Sequence, residues 1–174
     1  LSLDAEERLN EELLAAVRQV IEDGSRDTQY ALTRKSVAFG TTFNHGVLYP
    51  EHVARFFPRN RVKWVNKVHE HPECDLRLER LPGHIEHHTY KDWHHWEEKL
   101  CLYTTIWAED AYKRGKRTTK GGIFLHSLGG FFKMFVLRAG FLDGWMGTYM
   151  CCNHFFYTML KYLKLHELQQ KNGK

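Results

Sequence analysis

The first residues fit for chemistry stand at the front of the sequence, where Leu1-Ser2-Leu3 runs into Asp4-Ala5-Glu6-Glu7. A short apolar run ending in carboxylates is the pattern of a buried strand that delivers acids to the mouth of a sheet. Acids spaced Asp-x-Glu suit a hard divalent cation of the Mg²⁺ or Mn²⁺ kind, which takes oxygen ligands and commonly arrives with phosphates. The same acids also suit a helix start, where negative charge meets the positive end of the macrodipole. Histidines are the second candidates. There are 12, and they bunch: His69 and His71 flank Glu70, then His84, His87 and His88 fall in what reads as one loop, and His94 and His95 open a helix. Imidazoles concentrated near carboxylates point to metal or phosphate chemistry. Zinc hydrolysis ranks well below it, because neither H-E-x-x-H nor its inverse is present and His69-Glu70-His71 lacks the spacing.

These groups need elements to hold them. Asn10 reads as an N-cap, Glu11 and Glu12 fill a first turn, and Leu13, Leu14, Val17, Val20 and Ile21 recur at helical spacing until Gly24. From Tyr30 to Val68 short β-favouring runs follow (Ser36 to Phe39, Val53 to Phe57, Val62 to Val68), parted by Gly40, Gly46, Pro50 and Pro58. After Pro82 the expectation is helix, with Trp93, Trp96, Leu100, Tyr103 and Trp107 on one face. Beyond Gly121 the chain is rich in aromatics, interrupted by Lys133, Arg138, Asp143, His154 and Lys161. That texture suits helices in a membrane interface, with a cap on the protein's own core or a homo-oligomer contact as the alternatives.

Composition sets the limits. The chain has 174 residues, 43% hydrophobic, 14% aromatic and 26% charged, which predicts one globular unit with a real core. Its net charge of +4 is modest, but Lys113, Arg114, Lys116, Arg117 and Lys120 cluster, as do Lys161 and Lys164. Such patches suit phosphates or an anionic membrane surface. Nucleic acid is not expected, since no binding motif accompanies the charge. Cys74, Cys101, Cys151 and Cys152 form no C-x-x-C pair, which fits a reducing cytoplasm. No uninterrupted apolar stretch reaches the length of a membrane span.

Taken in order, the motifs resemble a known family. Leu3-Asp4-Ala5-Glu6-Glu7-Arg8-Leu9, then Tyr49-Pro50 and Arg55-Phe56-Phe57, Val68-His69-Glu70, His88-Thr89-Tyr90 and Gly140-Phe141-Leu142-Asp143-Gly144 look like the C-terminal part of glycosyltransferase family 2. The nearest branch is the bacterial one of lipopolysaccharide core sugar transferases, and the likeness runs from Leu1 to about Leu165. The fold it implies is α/β: the acceptor-side half of a GT-A, Rossmann-like enzyme, with a short mixed sheet and amphipathic C-terminal helices. Residues 1–120 would form the acceptor-side catalytic part and residues 121–174 an aromatic, basic helical extension lying on the membrane. Asp4-Ala5-Glu6 stands for the D-x-D motif, with Glu6 in place of the usual second Asp. The donor-binding half would lie upstream, so this stretch alone is expected to be inactive.

The resemblance also implies roles. Asp4, Glu6 and His88 would hold Mg²⁺ or Mn²⁺ against a nucleotide-sugar diphosphate, Glu70 would be the general base of an inverting transfer, and His69, His87, Tyr90 and Arg55 would contact substrate. Glu70 could instead orient a histidine or pair with Arg55. Arg61 is a further phosphate candidate, Trp93 and Trp96 suit a sugar ring or core packing, and Asp143 reads as a turn or helix cap. The acceptor would be a glycolipid such as lipopolysaccharide core, reached from the cytoplasmic side, with the protein peripheral on the inner face of the bacterial inner membrane. A different class stays open: a non-catalytic membrane or protein interaction module.

Overall fold

The computed structural model of the chain describes residues 1–65 and 71–172. It is mixed α/β, with two short sheets and a set of C-terminal helices, and it divides into two compact units: Leu1–Val37 with Pro50–Thr89, and Ala38–Tyr49 with Tyr90–Lys174.

The first unit is built on β1 (Glu7–Leu9), α1 (Glu11–Glu22), β2 (Thr28–Ala38), β4 (Glu51–Phe56) and β7 (Arg77–Tyr90). β7 lies between β1 and β2; β4 and the two-residue β3 (Thr41–Thr42) also pair with β2. β1 runs antiparallel to β7, and β4 antiparallel to β2. A separate ribbon pairs β5 (Val62–Val65) with β6 (His71–Cys74). The Gln29 amide on β2 donates to the carbonyls of Cys74 and Leu76, tying the end of that ribbon to the sheet. Helix α1 forms as expected. The Asn10 side chain caps it by accepting from the Leu13 N–H at 3.1 Å, and Leu13 and Val17 pack on Tyr30, Leu32 and Ile85.

Two expectations fail here for physical reasons. Residues 1–4 form no strand, and Leu1 and Leu3 are exposed. The strand begins at Glu7, the last of the acids, because that is where β7 offers partners. The segment expected to be a histidine loop passing into helix is instead the 14-residue strand β7, and α2 starts only at Trp93. Pro82-Gly83 reads as a breaker, but Gly83 serves a close approach. Its φ is +82°, and a Cβ there would collide with the Leu13 backbone and lie 2.8 Å from the Asn10 side chain. A glycine inside a strand commonly marks such a contact.

The second unit is helical: α2 (Trp93–Lys113), α3 (Lys120–Phe132) and α4 (Gly144–Asn172). Ala108 and Ala111 of α2, Ile123 of α3, and Tyr162 and Leu165 of α4 share one core. Ala38, Phe43, Met146 and Met150 form another, with Phe39, Tyr90 and Trp96 packed against it. Phe39 and Gly40 take φ of 53° and 73°, the paired positive values of a tight hairpin between β2 and β3. The Gly140-to-Gly144 motif has a structural role within this unit. Asp143 accepts from the backbone N–H groups of Asn44 and His45 and bonds the His45 ring at 2.8 Å, while Gly46 N–H donates to the Arg138 carbonyl. Gly46 and Gly140 sit so close that a Cβ on Gly46 would lie 2.9 Å from the Gly140 Cα. Asp143 thus ends the 3₁₀ turn Gly140–Asp143, in line with the turn its position suggested, but its side chain ties a distant loop rather than capping a helix.

Candidate functional site

Antiparallel pairing sets Glu7 opposite His87 and Arg8 opposite Glu86. The ladder extends one residue further, with His88 N–H donating to the Glu6 carbonyl at 3.1 Å. The front acids therefore lie along the histidine-bearing strand. A reciprocal turn holds them: Glu7 N–H donates to the Asp4 carbonyl, and Asp4 N–H donates to Glu7 Oε2, each at 3.0 Å.

Glu7 is the centre of this arrangement. Its side chain is fully buried, and Oε1 accepts from Arg34 and Arg55, each at 3.2 Å. Arg55 also donates to Asp4 Oδ2 at 2.7 Å, and Arg34 reaches Glu51, its register partner on β4, through Nε at 3.0 Å and through Nη2. Three carboxylates thus surround two guanidiniums. Burial works against the charge on Arg34, but hydrogen bonds and attraction from Glu51 and Glu7 outweigh it and hold its pKa above the ordinary value.

Glu6 stands apart from that knot. Its Oε2 lies 4.0 Å from His87 Nε2, too far for a direct hydrogen bond. Burial, with the nearby Arg34 charge, keeps the His87 pKa below the usual imidazole value against the pull of Glu7, Glu6 and Asp4. At pH 7 that ring is neutral and able to donate from one nitrogen and accept at the other. Asp4 and Glu6 keep side-chain exposures of 54% and 44%.

Among the described residues no three His, Cys, Asp or Glu side chains converge as a metal site. Asp4, Glu6 and His88 therefore form no ready-made ligand set; His88 is exposed and meets Glu6 through its backbone. Asp4 and Glu6 are the two partly exposed acids of this region, and Mg²⁺ is commonly held by one or two carboxylates plus substrate oxygens. His69 and Glu70 lie outside the described residues.

The remaining candidates take other places. Arg61 pairs with Asp75 across the ribbon at 3.2 Å. A cleft of about 710 Å³ in the first unit runs between the end of α1 and Phe56 to Asn60, and none of the acids lines it. Tyr90 belongs to the second unit, where burial raises its phenol pKa. There it lines a pocket of about 260 Å³ with Trp96, Lys99, Tyr103, His154 and Tyr157. Trp93 lies flat on Phe39, with ring centroids 3.7 Å apart, and meets Tyr149 edge-on. The basic clusters are partly engaged within the unit: Lys116 donates to the Tyr162 hydroxyl and lies over Trp107, Lys161 lies over Trp107 and Tyr157, and Lys164 donates to Thr104 and Thr105.

Sequence reasoning missed Arg34 and Glu51, and took Glu7 for one acid among three. The available signal was weak: two cations, Arg34 and Arg55, in the stretch from Tyr30 to Val68 that holds the β-favouring runs, each needing an acid once a sheet buries it. No known protein-family model matches the chain.

Proposed function

We propose that the chain is the acceptor-side part of an inverting, metal-dependent glycosyltransferase of the GT-A kind, moving a sugar from a nucleotide sugar to a glycolipid such as lipopolysaccharide core. The observation that supports it is the gathering of Arg55 and His87, distant in sequence, beside Asp4 and Glu6 at the β1 end of one sheet. Together they offer what a departing diphosphate needs: carboxylates for a cation, a guanidinium and a neutral imidazole for oxygens.

In this reading Glu70 takes the proton of the acceptor hydroxyl while that oxygen attacks the anomeric carbon. The bond from that carbon to the diphosphate breaks on the opposite face, and configuration inverts. Asp4 and Glu6 would hold Mg²⁺ or Mn²⁺, which when bound would neutralise charge on the leaving diphosphate. Arg55 orients Asp4, and His87 donates to a phosphate oxygen.

The test is thermal. Mn²⁺ with uridine diphosphate, or another nucleoside diphosphate, should raise the melting temperature, and the rise should vanish in Asp4→Asn/Glu6→Gln. Absence of any rise across the nucleoside diphosphates would count against a cation site here. With the donor-binding half joined to the chain, Glu70→Gln should lower nucleoside diphosphate release by about 10²-fold or more. The second reading, a non-catalytic interaction module, draws on the exposed apolar face of the second unit; it predicts no nucleotide-dependent stabilisation at all.

A further inference from the structure

The second unit carries a surface that neither its cores nor the proposed chemistry uses. From α3 through the π-helical turn Lys133–Leu137 and the 3₁₀ turn Gly140–Asp143 into the start of α4, large apolar side chains face outward. Leu128, Phe132 and Val136 follow at four-residue steps, and Leu125, Leu137 and Trp145 are about 70% exposed. Large exposed apolar side chains grouped in this way commonly mark an interaction surface.

Charge selects the occupant. Between Gly121 and Tyr149 the only charged residues are Lys133, Arg138 and Asp143. The single acid is withdrawn: its side chain is 5% exposed and bonded to His45 and two backbone N–H groups. Both cations are exposed, and Arg138 lies beside the Tyr49 ring, 5.6 Å from its centroid. An apolar ridge with no exposed acid, cations alongside and Trp145 and Tyr149 at one end matches the interface between headgroups and acyl chains of an anionic bilayer. No helix among the described residues is long and apolar enough to cross a membrane, so the contact would lie in the interface plane.

We propose that this ridge docks the protein on an anionic phospholipid surface, with Leu125, Leu137 and Trp145 entering the acyl boundary and Lys133 and Arg138 meeting phosphates. The assignment is independent of the glycosyltransferase reading.

Sedimentation with phosphatidylglycerol/phosphatidylethanolamine vesicles, against phosphatidylcholine vesicles, tests it. Binding to the anionic vesicles should exceed binding to the neutral ones and weaken in high salt. Lys133→Gln and Arg138→Gln should each cost about fivefold, and Leu137→Gln/Trp145→Gln more than tenfold. All these positions are exposed, so circular dichroism and melting should be unchanged. Tryptophan emission should shift to the blue on binding, and the shift should be reduced in Trp145→Phe. No vesicle binding, or binding that the ridge variants leave intact, overturns the proposal. So does a ridge variant that turns an oligomer into a monomer without vesicle binding in the parent chain, which would make the face a contact between copies.

Discussion

The two units handle charge in opposite ways. The first has 12 Lys and Arg against 14 Asp and Glu; the second has 13 against 7, so they carry formal charges of −2 and +6 that sum to the chain's +4. In the first, cations are neutralised by acids on neighbouring strands, as with Arg34 and Arg55 around Glu7. In the second, several lie on aromatic faces: Lys116 and Lys161 both sit over Trp107 and Tyr162. A ring holds a cation by its quadrupole and cancels no charge. The first unit is thus nearly balanced around its acids, while the second keeps a net positive charge. A diphosphate with its cation suits the former; an extended anionic surface suits the latter.

The contrast predicts where one substitution does most harm. Removing the Glu7 charge leaves Arg34 and Arg55 largely buried without their shared acceptor, and breaking a buried pair in this way costs about 3–5 kcal/mol. Glu7→Gln should therefore lower the denaturant midpoint sharply and loosen the β1 pairing. Lys116→Met in the second unit should do far less, because its ring contacts tolerate an apolar stem. Equal losses in the two variants would erase the distinction between the units.

Acidification reads the second unit directly. Burial, with Lys161, Lys133 and Arg138 nearby, lowers the His154 pKa to about 4. The unfolded chain takes a proton on this residue near pH 6.5, and the folded chain does not until about pH 4. Between those values the unfolded state binds more protons, so stability falls as pH falls through this window and is unaffected by this group above it. The effect is about 2 kcal/mol after allowance for solvent screening. Urea denaturation at steps from pH 7 to pH 4 should show that slope, and His154→Gln should flatten it. Lys161→Gln should flatten it only in part, since burial is the larger cause. A slope unchanged in His154→Gln would assign the acid sensitivity elsewhere.

How far the sequence speaks depends on the range of the interaction. Helix α1 was legible because its signals are local: the Asn10 cap, the first-turn acids and the three-to-four spacing of Leu13, Val17 and Val20. The C-terminal helices were legible for the same reason, whereas the tie of Asp143 to Asn44 and His45, distant in sequence, was not. Strand β7 was not. Its pairing partners lie in β1 and β2, far away along the chain, and Pro82-Gly83 carries the local signature of a turn. The glycine's true cause, a helix N-terminus pressed against the strand, exists only after folding. The acids and histidines were recognised as chemistry, but the Arg34 and Glu51 framework depends on strand register, which one sequence cannot supply.

The smallest expected effect sharpens the comparison most, because it asks whether the exposed edge of the charged knot serves stability or something else. Asp4 is half exposed and its bond to Arg55 is a surface pair, which as a rule couples by only about 0.2–1 kcal/mol. A double-mutant cycle of Asp4→Asn and Arg55→Gln should find a coupling in that range, well below the loss in Glu7→Gln. Arg55 itself contacts both acids, so its single variant also disturbs Glu7; the cycle subtracts that part, since it is common to both arms. A coupling several times larger would make Asp4 a structural partner of the buried cluster. A small coupling together with loss of the Mn²⁺–nucleotide stabilisation in Asp4→Asn would mean that its carboxylate contributes little to the fold and is free to serve a ligand.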